Sequence, residues 1–181
     1  MNTIIVEGGK DMGNRIYPIG IQNFEKIRKE GYVYVDKTAL MYKLVKSGSY
    51  FFLSRPRRFG KSLLISTLEA YFEAKRDLFE GLAVETLEKD WVKRPVFHLD
   101  LNIGKYDTPD SLDKILNETL DYWESLYGTR SAETTLALRF AGVVGRAYEQ
   151  SGERVAILID EYDKPLLQAI GNEELQREFR N

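Results

Sequence analysis

Short apolar runs alternate with segments of helical spacing along this chain, and this alternation limits its fold more than any other feature. The runs Tyr50–Leu53, Pro95–Leu101 and Val155–Ile159 predict strands. The first has no alternation and is typical of a strand buried on both faces of a parallel sheet, and the last is uninterrupted and apolar. Parallel strands need a crossover between them, and that crossover is usually a helix. The sequence therefore predicts an α/β fold with a mostly parallel sheet flanked by helices.

Segments with helical spacing lie before and after these runs, and two further segments predict other structures. Residues 1–20 are rich in glycine and polar residues and predict a loosely packed lead-in, whereas Tyr32–Val35 predicts a short strand. We divide the chain into an N-terminal lead-in and helix over 1–48 and a core over 49–181. The predicted helices are Gln22–Glu30, Lys37–Lys46 with Asp36 as N-cap, Lys61 to about Lys75, a helix marked by Leu112 to Trp123, Thr134–Gln150, and Lys164–Arg180.

Composition excludes several kinds of site. The 181 residues include no cysteine and one histidine, so thiolate sites and multi-histidine metal sites are excluded within the chain. The formal net charge of -2 gives no global positive field to attract nucleic acid or an anionic membrane. No run of apolar residues is long enough to cross a membrane, and the N-terminus lacks a signal-peptide core. We therefore expect a cytoplasmic protein that binds no membrane.

The first predicted core strand leads into a loop that resembles the phosphate-binding motif G-x-x-x-x-G-K-[ST]. Gly60, Lys61 and Ser62 match the motif, whereas Arg55 stands where the first glycine belongs and Pro56 stiffens the turn. In such a loop, backbone N–H groups and a helix N-terminus bind phosphate, Lys61 bridges the β and γ phosphates, and the Ser62 hydroxyl ligates Mg²⁺. The residues predicted to bind the nucleotide, ATP, are Arg55, Pro56, Arg57, Arg58, Phe59, Gly60, Lys61 and Ser62.

The loop's arginines allow two interpretations. Three guanidinium groups, those of Arg55, Arg57 and Arg58, beside a site for a polyanion suit phosphate recognition. The alternative is that some of them face solvent or pair with acids.

The run Val155–Ile159 ends in Asp160 and Glu161, and this acidic pair completes the predicted chemistry. A buried strand that ends in two acids brings one carboxylate to Mg²⁺ and the other to the attacking water. Asp160 and Ser62 are thus the predicted metal ligands, and Glu161 and Lys61 the predicted catalytic residues. Taken alone, such acids are more often solvated turn residues or N-caps, and the glycine-lysine-serine loop decides between the two readings.

Other polar residues near these strands are interpreted more simply. His98 lies within a predicted strand and is expected to be packed or hydrogen-bonded rather than catalytic, although Asp100 near the end of that strand could reach the site. Asp163 and Lys164 are expected to form a local ion pair.

Four segments resemble the bacterial AAA-ATPase-like proteins whose longer members carry a C-terminal domain similar to PD-(D/E)XK nucleases. The segments are Tyr17–Gly20, Tyr34–Thr38, Phe52–Ser62 and Ile159–Pro165. The resemblance implies that Arg55 is this family's own loop variant and that Mg-dependent ATP hydrolysis takes place in the full-length protein. It also implies a nuclease-like domain in a longer parent chain and contact with DNA only through that parent, and it leaves oligomer formation open.

In P-loop ATPases with such an acidic pair, the strand after the pair lies between the loop strand and the acidic strand and carries a polar sensor. Asp160 is followed by 21 residues (181 minus 160), which read as helix, so we expect the central sensor strand to be missing and binding and hydrolysis by this segment to be weak. Two alternatives remain: a nucleotide-dependent switch without hydrolysis, and an interaction scaffold whose arginine loop binds phosphate or an acidic surface.

Overall fold

The computed structural model describes residues 16–54, 56 and 59–180 of the chain. Short helices precede a first strand, two long helices connect it to a second strand, and two further short helices follow. The helices are α1 (Phe24–Lys29), α2 (Thr38–Ser47), α3 (Lys61–Phe72), α4 (Ala83–Leu87), α5 (Ser111–Tyr127), α6 (Leu136–Ser151), α7 (Lys164–Gln168) and α8 (Glu173–Glu178), and the strands are β1 (Val96–Asp100) and β2 (Ala156–Asp160). Single turns of 3-10 helix lie at Arg76–Phe79 and Leu101–Ile103.

Polar side chains satisfy the free N–H groups where the first helices begin. Asn23 Oδ1 accepts a hydrogen bond from Lys26 N at 2.8 Å ahead of α1. Asp36, the predicted N-cap of α2, lies one residue before the observed N-cap Lys37, and its Oδ1 accepts from Thr38 N at 2.8 Å. These bonds replace the partners that the first helical turn lacks, which is why the polar residue before each apolar stripe marks the helix start.

The predicted helices are confirmed in α1, α2, α3, α5 and α6, with ends that differ from the predicted ones by at most four residues. The segment Lys164–Arg180, predicted as one helix, is instead divided into α7 and α8. Gly171 lies between them at φ 92°, a left-handed conformation that interrupts a right-handed helix.

The sheet consists of β1 and β2, which run parallel in a register that pairs Val96 with Ala156 and Asp100 with Asp160. The connection between them is helical, because α5 and α6 lie between the strands in the chain. The predicted α/β class with a parallel sheet is confirmed to this extent: the fold mixes helices and strands around a small open parallel sheet of two strands.

Separate hydrophobic clusters cover the two faces of the sheet. On one face, Leu158 of β2 packs in a cluster with Leu68 and Tyr71 of α3 and Phe79. On the other face, Phe97 of β1 packs with side chains of α5 and α6. The Phe97 and Trp123 rings stack with centroids 4.5 Å apart. Alternate side chains of each strand therefore pack in different clusters, because successive side chains of a strand point to opposite faces of the sheet.

Two predicted strands are absent from the described residues. Tyr50–Leu53 has no strand structure, and Tyr50 is 96% exposed, so the prediction of a strand buried on both faces is wrong here. Tyr32–Val35 is likewise not a strand, although Val33 N donates to Ile16 O at 3.1 Å. The physical reason is that a strand needs a ladder partner for its backbone groups, and neither segment pairs with β1 or β2.

One face of β2 is only partly covered. Ile157 and Ile159 are 43% and 49% exposed, whereas Leu158, on the opposite face, is 7% exposed. Among the described helices, none is long and apolar enough to cross a membrane.

Candidate functional site

Helix α3 begins directly at the predicted phosphate-binding loop. Gly60 precedes the helix at φ 76°, a left-handed conformation that a side chain resists, and its carbonyl accepts from Leu64 N at 3.0 Å. Lys61 and Ser62 are the first two residues of this 12-residue helix and are half-buried. The first turn of a helix has N–H groups without intrahelical partners, so this end of α3 has the features of an anion-binding site.

The predicted acidic pair lies at the end of β2. Asp160 is 7% exposed, and its Oδ1 accepts from Glu161 N at 2.9 Å. Glu161 has φ 50°, so the chain turns sharply between the two acids. Because of this turn, the backbone at Asp160 and the backbone at Glu161 have different orientations. Of the two residues, only Asp160 is buried.

Helix α3 runs antiparallel to the strands. Near its C-terminal end, Phe72 O accepts from Arg94 N at 2.7 Å, two residues before β1 begins. One turn earlier in α3, Glu69 Oε2 lies 3.2 Å from His98 Nδ1, in the middle of β1. The start of α3 therefore lies toward the C-terminal ends of the strands.

Distances along α3 and β2 show where the two predicted motifs lie relative to each other. Ser62 precedes Glu69 by seven residues, about 10 Å along a helix. Asp160 follows Leu158, the partner of His98 in the register, by two residues, about 7 Å along a strand. The rings of Phe52, before the loop, and Tyr162, after the acids, meet with centroids 5.2 Å apart. The structure thus brings the start of α3 and the end of β2 to the same end of the sheet.

A third acid lies at this edge. Asp100 is the register partner of Asp160, and its Oδ1 accepts from Asn102 N at 2.8 Å. The register places Asp100 beside Asp160, and its predicted ability to reach the site stays a prediction.

Lys164 takes part in a contact that sequence analysis missed. Its Nζ donates to the backbone oxygen of Asn102 and lies 3.1 Å from Asn102 Oδ1, which ties the start of α7 to the turn after β1. The expected ion pair between Asp163 and Lys164 is not among the ion pairs of the described residues. Lys164 and Asn102 are 62 positions apart in the chain, so no local sequence pattern could predict their contact.

His98 agrees with its prediction as a packed, hydrogen-bonded residue. The hydrogen bond to Glu69 raises the pKa of the His98 imidazole, against the lowering effect of its partial burial. Glu69 was missed because it lies 29 residues away, on a helix whose packing the sequence does not specify.

The arginine-rich part of the loop is largely outside the described residues. Arg55, Arg57 and Arg58, all predicted to bind phosphate, belong to this part. Pro56 is exposed, and Phe59 is 69% exposed.

The side chains at this end of the sheet suit a hard cation better than a soft one. Ser62 and Asp160 offer oxygen donors, the type that Mg²⁺ prefers. Within the described part of the chain, no group of three or more His, Cys, Asp or Glu could hold a metal ion by itself. Among the atoms of the described residues, a Cβ built on Gly60 would meet none within 4 Å.

Comparison with known proteins adds to this geometry. A family model described as "AAA-ATPase_like: Predicted AAA-ATPase" matches residues 18–181. The chain is 40% identical over 172 residues to an uncharacterized protein in the vnfD 5' region of Azotobacter chroococcum mcd 1, an alignment that covers 94% of this chain and 33% of that protein. The chain thus spans about a third of the length of this curated relative. No solved structure matches. With a family match over nearly its whole length, the chain belongs to the AAA-ATPase-like family of predicted AAA-ATPases.

Proposed function

We propose that this chain binds ATP with Mg²⁺ between the start of α3 and the end of β2, and that the full-length protein hydrolyses it. The observation that carries the proposal is the shared position of Ser62 and Asp160 at one end of the sheet, deduced from the antiparallel packing of α3. In α/β folds, ligands bind beyond the carboxyl ends of the parallel strands. Membership in a family of predicted AAA-ATPases supports the same ligand.

The proposed phosphate contacts come from the loop and the helix it opens. Gly60 lets the backbone approach the phosphates, Lys61 binds the β and γ phosphates, and Ser62 with Asp160 holds Mg²⁺. When bound, the ion neutralises phosphate charge and keeps the transferred group oriented. Arg55, Arg57 and Arg58, with Pro56 and Phe59 between them in the loop, form the outer part of the proposed phosphate site.

Glu161 is the proposed general base. It accepts a proton from the water that attacks the γ phosphorus, while the bond from that phosphorus to the β–γ bridging oxygen breaks and ADP leaves. The left-handed conformation of Glu161 is the type of backbone strain that is often found at functional sites.

Titration calorimetry with a nonhydrolysable ATP analogue and Mg²⁺ tests binding. We expect weak binding by this chain, loss of binding in Lys61→Ala, and no change in Lys43→Ala, which removes an exposed lysine of α2. Equal affinities for the two variants would refute the site, and affinity typical of a complete ATPase would refute the expected weakness.

Phosphate release tests hydrolysis. In the full-length protein, we expect Glu161→Gln to lower the rate by about 100-fold or more while the nucleotide still binds. Equal rates for the wild type and Glu161→Gln would instead favour a nucleotide-dependent switch. The half-exposed Ile157 and Ile159 on β2 favour this second candidate, because a switch needs a surface that a partner or a further domain can cover.

For the longer parent protein, we propose that ATP hydrolysis is coupled to a nuclease-like domain that contacts DNA. The expected measurement is DNA cleavage by the full-length protein that depends on ATP and is lost in Lys61→Ala. ATP-independent cleavage would refute the coupling.

A further inference from the structure

The outer edge of β1 borders a groove that the proposed ATP site does not use. The groove encloses about 740 Å³ and lies between α3 and α5. Its floor is formed by Val96, His98 and Asp100 of β1.

The backbone of β1 is available along this groove. Ala156 N donates to Pro95 O at 2.8 Å, and in a parallel ladder alternate residues of one strand bond to the same neighbour. Residues 95, 97 and 99 therefore bond toward β2, and the N–H and C=O groups of Val96, His98 and Asp100 point to the groove. Within the described residues, β1 pairs with β2 alone, so this edge can accept a further strand.

The two walls of the groove differ in character. On the α3 side, Glu69 and Glu73 line the groove, together with the polar strand side chains of His98 and Asp100. On the α5 side, the lining is mainly apolar and aromatic: Ile115, Tyr122, Trp123, Leu126 and Tyr127, with Glu118 and Thr119 among them. Tyr122 and Leu126 are 63% and 55% exposed. An added strand would point alternate side chains toward these two walls, because successive side chains of a strand point to opposite faces of a sheet.

The charge of the lining favours a basic partner. Four carboxylates, those of Glu69, Glu73, Asp100 and Glu118, oppose two cations, Lys93 and Arg94, at the end where β1 begins.

Some of these groups already have partners within the chain. Lys75 Nζ lies 2.8 Å from Glu73 Oε2, and Glu69 contacts His98. The other ring nitrogen, His98 Nε2, is buried and has no hydrogen-bond partner among the described residues, which leaves a polar atom to satisfy at the floor of the groove.

We propose that this groove binds an extended segment of a partner protein as a third strand next to β1, and that the segment alternates basic and apolar residues. The basic side chains face Glu69 and Asp100, and the apolar side chains lie against Tyr122 and Leu126. Main-chain hydrogen bonds to Val96, His98 and Asp100 supply affinity, and the two unlike walls supply specificity.

The probe is a fluorescein-labelled hexapeptide of alternating lysine and valine, titrated into the chain and followed by anisotropy. A peptide with glutamate in place of lysine should bind about tenfold or more weakly, the combined effect of two or three exposed ion pairs. A peptide of the first sequence with N-methyl groups on alternate amides should lose binding, because it cannot complete the ladder. Equal binding of all three peptides would overturn the proposal.

Variants and hydrogen exchange locate the site. Glu118→Lys and Leu126→Asp change exposed side chains of α5, so both should fold and both should weaken binding, whereas Glu174→Lys on α8 should bind as the wild type does. The bound peptide should slow amide exchange at His98 and Asp100. Unchanged binding in both α5 variants would overturn the proposal. It would also be overturned if the chain sedimented as a dimer and these amides exchanged slowly without peptide, because a second copy of the chain would then occupy the groove.

Discussion

Glu161 offers a direct test of whether backbone strain is stored beside the proposed ATP site. Its φ of 50° lies in the left-handed region, which costs an L-residue with a side chain roughly 1–2 kcal/mol. Replacement by glycine removes this cost but adds unfolded-state freedom worth about 0.5–1 kcal/mol. We therefore expect Glu161→Gly to raise the free energy of unfolding by up to about 1.5 kcal/mol, and each kcal/mol corresponds to roughly 2–4 °C in Tm for a chain of this size.

The chain contains a matched control for this effect. Ala74 has φ 56° and follows the C-terminal end of α3, the end opposite to the predicted phosphate-binding loop. Ala74→Gly should raise the Tm by a similar amount, whereas Glu161→Gln, which keeps a side chain at the left-handed position, should leave it nearly unchanged. Differential scanning calorimetry measures all three variants.

The function of the two glycine variants should differ even though their stability changes are alike. Phosphate release by the full-length protein should be lost in Glu161→Gly, which removes the proposed base, and retained in Ala74→Gly. A Tm for Glu161→Gly that is equal to or below that of the wild type, with Ala74→Gly stabilised, would refute the strain at Glu161.

Three further predictions concern the cores and the buried charges. Phe97→Ala removes a fully buried ring and should lower the free energy of unfolding by about 3–5 kcal/mol in urea titrations, and a loss below about 1 kcal/mol would contradict its core position. Glu133→Ala removes the ion-pair partner of Arg146, which is 8% exposed, and should lower the urea midpoint, with recovery in the double variant that adds Arg146→Met; no recovery would argue against an uncompensated charge as the cause. Burial raises the pKa of Glu88, but hydrogen bonds and the Lys46 ammonium outweigh it and hold that pKa at about 2. The folded-state pKa is thus depressed, so its stabilisation is present above about pH 4.5 and is lost as the pH falls toward 2; Glu88→Gln should flatten this part of the urea-midpoint profile, and an unchanged slope would contradict the assignment.

Periodicity predicted those parts of the fold that local interactions determine. The amphipathic helix with Leu112 and Trp123 became α5, and the apolar run Val155–Ile159 became β2, because each pattern buries one set of side chains wherever the element packs. Tyr50–Leu53 has an equally apolar pattern and is not a strand, because strand structure also requires a neighbour with free backbone groups. The sequence shows which segments can be strands but not which neighbours are present.

For the candidate site, too, the sequence predicted local features but not contacts between distant segments. Gly60, Lys61, Ser62, Asp160 and Glu161 could be proposed from short motifs, because their chemistry needs residues that are adjacent in the chain. Contacts between distant segments could not be proposed. His98 meets Glu69, and Lys164 meets Asn102, only because α3 and α7 pack where they do. The binding and catalytic roles of the loop residues and of the acidic pair stay predictions, and residues 55, 57 and 58 of the loop also lie outside the described residues.

The two tryptophans of the chain fall on opposite faces of the sheet, which makes each a native reporter of one core. Trp91 packs beside Tyr71 and Phe79 in the α3 cluster, whereas Trp123 stacks on Phe97 between α5 and α6. Conversion of either one to phenylalanine leaves a single emitter, so the fluorescence of the two variants follows the melting of the two halves separately. Coincident transitions would mean that the clusters on the two faces of the sheet melt as one cooperative unit.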